Sequence, residues 1–212
     1  MGALDGILVV DLSRAVAGPH AGMMLGDLGA RVIKVESPGG DDSRHWGPPF
    51  VDGESTYFLS VNRNKESIVL DLKSDDGREA LDALIERADV LIENFKVGTL
   101  ARLGFSEERV RQLNPCIVIL SITGFGHDGP EAARAGYDQI AQGEAGLMSV
   151  TGSGPEDPQR VGVPISDVLA GLYGAFGIVA ALYDREKSGV GTTVRTSLLA
   201  ATVGAHVYQG TA

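Results

Sequence analysis

A single cysteine, Cys116, excludes an internal disulfide framework, and that usage fits a reducing cytosol. Cys116 opens the apolar run CIVIL and reads as a core residue. Basic residues are outnumbered: the net charge is -10, which argues against nucleic acid as the main partner. A small anionic ligand needs only a local basic cluster and is not excluded. The four histidines, His20, His45, His127 and His206, are scattered without the spacing of a ligand pair, so no metal site is expected. The loop after the first apolar run reads SRAVAGPHAG, which lacks the G-x-G-x-x-G of dinucleotide binding. A G-x-x-x-x-G-K-[ST] phosphate loop is missing too, and GSG at Gly152 to Gly154 lacks the surroundings of a serine-hydrolase elbow. The N-terminus, MGALDGILVVDLS, has acids where a signal peptide has positive charge, and Gly6 stands where a myristoylation signal needs Ser or Thr. The longest uncharged apolar run, Val168 to Tyr183, is short for a membrane span.

What is present is an α/β rhythm. The 212 residues suffice for one sizeable domain, and 43% hydrophobic with 22% charged is an ordinary globular composition. ILVVD (7–11) predicts a strand, then a helix from about Pro19 to Gly29, then a strand RVIKVE (31–36). Residues 38–66 are polar and rich in glycine, proline and acid, and read as a long loop, functional or unwound. SIVLDL (67–72), DVLIEN (89–94) and CIVILSIT (116–123) predict further strands. Ser74 or Asp75 caps a helix running to Arg87, and two short helices are expected at 99–103 and 106–113. TVRTSLLAATVGAHVYQG begins as a strand and becomes an apolar helix. Strands this apolar, separated by helices, predict a parallel sheet covered on both faces, a Rossmann-like α/β class.

The chain is organised around VGVPISDVLAGLYGAFGIVAALYDREKSGVG (161–191). The pattern predicts a helix with Ser166 or Asp167 at its N-cap and a glycine stop after Lys187. Apolar residues nearly all round predict that the helix is buried. Asp167 therefore starts a buried helix, where negative charge is tolerated. Arg14, Arg63, Lys65, Lys73 and Arg102 sit in or beside predicted loops at strand ends, where ligands of open α/β sheets bind. Such residues suit a phosphorylated ligand.

Six stretches in order carry a resemblance. They are LDGILVVDLSRAVAGPHAGMMLGDLGARVIKVE, NRNKESIVLDLK, ADVLIENFKVGTLARLGF, LNPCIVILSITGFGHDGP, AGYDQIAQGEAGLMSVTG and the 161–191 segment. Together the chain resembles the N-terminal half of the family III CoA-transferases, the CaiB/BaiF family, which includes formyl-CoA transferase and α-methylacyl-CoA racemase. The resemblance implies an incomplete family III fold. Residues 1–190 are expected as a large Rossmann-like CoA-binding domain, and 191–212 as the start of the connection toward a small domain missing from this chain. It implies acyl-CoA and a small carboxylic acid as substrates, no metal, an interlocked homodimer for the complete chain, a cytoplasmic protein, and no nucleic-acid or membrane partner.

By the same resemblance Asp167 is the transferase nucleophile. Backbone contacts to CoA are expected from Ala15, Val16 and Ala17. Leu70 and Lys73 match positions beside the adenosine and its phosphates, and Asn94, Phe95 and Arg102 match a segment lining the nucleotide. Tyr137 and Leu198 match positions near the pantetheine and thioester. Val16 and Ser37 depart from the pattern of formyl-CoA transferase. Racemases of the family carry A-G-H-D where this chain has A-G-Y-D, and a phenol ionising near ~10 is a poor base at neutral pH. His127 is expected on a loop surface. The reading is thus a CoA-transferase, with a racemase or epimerase and a non-catalytic CoA-binding protein as alternatives.

Overall fold

The computed structural model describes residues 2–211. Its centre is a six-stranded sheet in which every neighbouring pair is parallel. In chain order the first strands and helices are β1 (Leu8–Asp11), α1 (Ala17–Asp27) and β2 (Arg31–Glu36). A two-stranded antiparallel ribbon, β3 (Phe50–Val51) and β4 (Glu54–Ser55), and α2 (Thr56–Asn62) follow. Then come β5 (Lys65–Val69), α3 (Asp75–Ile85), β6 (Val90–Glu93), α4 (Thr99–Arg102), α5 (Glu107–Leu113) and β7 (Val118–Thr123). The chain continues with α6 (Asp138–Glu144), α7 (Ile165–Ser188), β8 (Thr193–Ser197) and α8 (Leu198–Ala205). The strand order is β5-β2-β1-β6-β7-β8. The chain winds outward from β1 to one edge, returns beside β1 with β6, and winds to the other edge. The order thus reverses between β1 and β6, the place where open α/β sheets leave a crevice for ligands.

Two apolar layers cover the sheet. On one face Leu25, Ala170, Ile178 and Leu198 join Val9, Ile92 and Leu120. On the other Leu81, Ile85, Phe105 and Val110 join Val10, Leu91 and Ile119. This is the doubly covered α/β class that the apolar strands predict. The caps follow from local chemistry. The Ser74 and Ser106 hydroxyls accept from the amides of Gly77 and Arg109, each a side-chain oxygen filling an orphan donor of the first turn. Gly189 closes α7 with φ 70°, a left-handed turn that suits glycine.

Several expectations are corrected. Residues 38–66 are no structureless loop: they hold a 3₁₀ turn (Asp42–His45), the β3–β4 ribbon and α2. The strand expected at 67–72 lies at Lys65–Val69, because its amides and carbonyls pair with Val32 to Glu36. The strand expected at the start of TVRTSLLAATVGAHVYQG is β8, and it pairs with β7 from Ile119↔Thr193 to Thr123↔Ser197, so the sheet continues past residue 190. Cys116 is exposed, because it precedes the strand and leaves the apolar positions to Ile117 and Val118.

The long helix α7 is not buried all round. Its small residues pack inward, and Ala170, Gly171, Gly174 and Ala175 are buried. A Cβ on Gly171 would stand 2.5 Å from the Ala17 carbonyl oxygen, so glycine there sets the closeness of α1 and α7. The opposite face keeps Leu172, Tyr173, Phe176, Val179 and Tyr183 exposed. By length and composition α7 is apolar enough to cross a membrane, but its inner face is part of the domain core.

Candidate active site

The loop after β1 is held from three directions. Asp11, the last residue of β1, is buried and accepts from the Ser13 amide (2.9 Å) and from the Lys65 ammonium (2.9 Å). Burial alone would raise its pKa; the ammonium groups of Lys65 and Lys34 and the Ser13 hydroxyl hold it below the usual value. Lys34 donates to the Ser13 carbonyl (2.9 Å). Asn94, just past β6, accepts from the Arg14 amide (2.8 Å) and donates back to the Arg14 carbonyl (2.7 Å). This reciprocal clamp ties the loop after β1 to the loop after β6 across the point where strand order reverses. Ala15 then takes φ 64°, a left-handed conformation that costs a non-glycine residue energy and that the surrounding bonds impose.

Two cavities open over the carboxyl ends of the strands. The larger, about 730 Å³, is walled by Ala15 and Ala17, by Asn94 and Phe95, by Trp46 and Tyr57, and by Tyr137, Asp138, Asp167 and Leu198. The smaller, about 310 Å³, is walled by Leu12, Leu70, Lys73, Phe95, Thr99 and Leu103. Arg14 and Phe95 belong to both walls, so the cavities adjoin. Of the residues singled out in the sequence, Asp167, Ala15, Ala17, Asn94, Phe95, Tyr137 and Leu198 gather at the larger cavity. Leu70, Lys73 and, again, Phe95 gather at the smaller one. Val16 is buried as the residue before α1 and faces neither wall. Arg102 also faces neither; it donates to the Thr99 hydroxyl (2.8 Å).

Asp167 is not the helix cap. Pro164 precedes the first residue of α7 and offers no side-chain bond, so Asp167 lies within the first turn. The capping is supplied from elsewhere in the chain. The Asp138 carboxylate, at the start of α6, accepts from the amides of Ser166 (2.7 Å) and Asp167 (3.3 Å). The Gln142 amide donates to the other Asp138 oxygen (2.6 Å) and fixes its orientation. The Asp167 carboxylate itself has no hydrogen-bond partner among the described residues. Nor is it held ionised by its helix. Burial, then the negative charge of Asp138, push its pKa up to about 7. Tyr57 is pushed to about 12 by burial and then by the charges of Asp167, Asp41 and Asp138, so it stays a neutral phenol beside them.

Other expectations change. Lys65 is buried in an ion pair with Asp11, and Arg63 pairs with Asp27 on the surface; neither joins a phosphate-facing cluster. Glu36, at the ribose-binding place of a dinucleotide fold, is consumed by Arg44, which holds it with two bonds of 2.7 and 2.6 Å. His127 is half-buried on its loop: its Nε2 lies 2.8 Å from the Ser121 hydroxyl, which is bonded to buried Glu93. Burial, then Arg195, lower its pKa, and it lines neither cavity. Sequence reading missed Asp138, although it adjoins Tyr137 in A-G-Y-D, and missed the Trp46–Tyr57 edge-on pair (4.8 Å between ring centres). It also missed Arg160, seven residues before Asp167 and on the same cavity wall.

The chain is 48% identical over 204 residues to a mouse succinyl-CoA:glutarate CoA-transferase, covering 96% of this chain and 47% of that protein. It is 49% identical over 203 residues to a succinate–glutarate CoA-transferase of Agrobacterium fabrum, covering 92% of this chain and 51% of that one. The chain thus spans about half the length of the curated relatives it matches. The crystal structure of a CAIB/BAIF family protein from Brucella suis superposes with a TM-score of 0.96 at 46% identity, covering 99% of this chain and 57% of that one. Residues 4–211 match the model of CoA-transferase family III, and the chain belongs to that family.

Proposed function

We propose that the protein moves CoA from an acyl-CoA thioester to a small carboxylic acid, with Asp167 as the nucleophile. The observation that carries this reading is an unpartnered carboxylate on the wall of a ligand-sized cavity, on a rigid helix start. An Asp167 oxygen attacks the thioester carbonyl; the C–S bond breaks, CoA leaves as thiolate, and an acyl-aspartyl anhydride forms. The thiolate attacks the aspartyl carbonyl carbon, and the donor acid leaves as carboxylate. The acceptor carboxylate then attacks the aspartyl thioester, freeing the thiolate and making a second anhydride. The thiolate attacks the acceptor's carbonyl, and Asp167 returns as carboxylate. No net proton or electron is needed.

Each neighbour of Asp167 has a part. Asp138 bonds the helix-start amides and fixes where the Asp167 backbone lies. The neutral Tyr57 phenol is a donor suited to developing oxyanion charge. The adjoining cavities suit a long, thin ligand: Leu70 and Lys73 beside the nucleotide end, and Phe95 between the ends. Tyr137 and Leu198 then flank the thioester end, and the left-handed Ala15 and nearby Ala17 offer backbone groups along the way. Asn94 acts through its clamp on Arg14. Arg102 lies at the edge of the smaller cavity's α4 wall, next to Leu103. In the complete protein a second copy of the chain is the partner, and the exposed apolar face of α7 supports such cover. The racemase alternative wants a base where Tyr137 stands, and His127, engaged with Ser121, does not replace it. In the full-length protein Asp167→Asn abolishes acyl transfer while CoA still binds; substantial remaining transfer contradicts the assignment.

A further inference from the structure

Resting on the transferase reading above, we infer that Arg160 selects dicarboxylic acceptors by binding the carboxylate that does not react. The larger cavity is acidic where chemistry is placed: Asp138 and Asp167 share its wall. A monocarboxylic acceptor brings one charge, which is consumed in forming the anhydride. A dicarboxylic acceptor brings a second charge that stays, and that charge needs a cation in a cavity already negative.

The cavity wall has four cationic side chains, Arg14, Lys96, Arg134 and Arg160. Arg134 is held by Glu131 and Glu144 and lies 4.4 Å from the centre of the Phe125 ring. Arg14 faces Asp42 at 3.5 Å and also borders the smaller cavity, at the nucleotide end. Lys96 lines only the larger cavity, beside Phe95, and is a point charge without a guanidinium fork. Arg160 differs from Arg14 and Arg134 in having no carboxylate partner among the described residues, and from Lys96 in lying on the segment that runs directly into the Asp167 turn. One guanidinium nitrogen, Nη1, donates to the carbonyls of Val161 (3.3 Å) and Gly162 (3.2 Å). Those bonds anchor the side chain and leave Nε and Nη2 as an open fork, the geometry that takes a carboxylate bidentately.

The test compares acceptors in the full-length protein. With glutarate, Arg160→Gln lowers kcat/KM about 30-fold, carried mainly by KM, whereas with butyrate it changes kcat/KM less than about 3-fold. Arg160→Lys, which keeps charge but loses the fork, recovers part of the glutarate activity. An equal loss with both acids assigns Arg160 to support of the α7 approach and overturns the proposal, as does no loss with either. Wild-type protein that uses butyrate but not glutarate overturns the proposal and leaves the transferase reading intact. Wild-type protein that transfers CoA to no carboxylic acid sinks that reading itself, and the proposal with it.

Discussion

Glu36 and Asp167 are both acids at the ends of core elements, and each faces a cavity, yet their surroundings are opposite. Glu36 is saturated. Arg44 grips it twice, the Ser67 hydroxyl donates at 2.6 Å and the Asp41 amide at 2.9 Å. Burial would raise its pKa, but these donors draw it down to about 2. Asp167 has no donor and a like charge beside it, and stands at about 7. The difference separates a carboxylate that holds the fold from the one proposed as the nucleophile. A nucleophile gains from having no partner, and the fold bears the cost of keeping it there.

The largest expected effect breaks the comparison at its reactive end. In the full-length protein, Asp167→Asn lowers the rate of acyl transfer about 10⁴-fold or more, measured by steady-state kinetics. The wild-type rate itself reports the raised pKa: kcat/KM rises with pH through a midpoint near 7, because only the carboxylate attacks. A flat profile between pH 5 and pH 8 contradicts an unpartnered, half-buried nucleophile.

The same substitution improves stability. A carboxyl whose folded pKa lies above its unfolded 3.8 binds its proton more tightly when folded, so stability falls as pH rises through 3.8 to about 7. Asp167→Asn removes that loss and gains about 2–4 kcal/mol in urea unfolding at pH 8, shrinking toward zero near pH 4. Glu36→Gln does the reverse. The lowered pKa of Glu36 stabilises the fold above 4.5, and that contribution is lost as pH falls through about 2. Its removal costs about 3 kcal/mol at neutral pH. If both substitutions destabilise equally, the contrast between the two acids fails.

How much of this was legible in the sequence follows the range of the interactions. The parallel sheet, α7 and its Gly189 stop, and the Ser74 cap came from runs and spacings a few residues long. The resemblance placed most named residues at one of the two cavities. What it did not reveal depends on pairs far apart in the chain. The start of α7 looked self-capped because Asp167 is the right residue type; its cap is Asp138, 28 residues before Ser166. The polar 38–66 stretch looked unstructured, because its order comes from Lys34 holding Asp41 and from Arg44 holding Glu36. The apolar outer face of α7 looked like core because periodicity reports hydrophobicity, not whether a partner covers it.

The smallest effect sharpens the electrostatic side. Asp138→Asn removes the like charge, so the midpoint of the kcat/KM profile moves below that of wild type, which burial still holds above the ordinary aspartate value. An asparagine at the same place still accepts from the Ser166 amide, and the weaker cap costs about 1 kcal/mol. An upward move of the midpoint contradicts the assignment of Asp138 as the charge that acts on Asp167.

The most direct test of the central claim is mass spectrometry of the full-length protein mixed with acyl-CoA and digested. The account predicts an adduct on the peptide carrying Asp167, discharged by hydroxylamine with hydroxamate formation on that residue. An adduct on another side chain, or active transfer with Asp167 never modified, contradicts it.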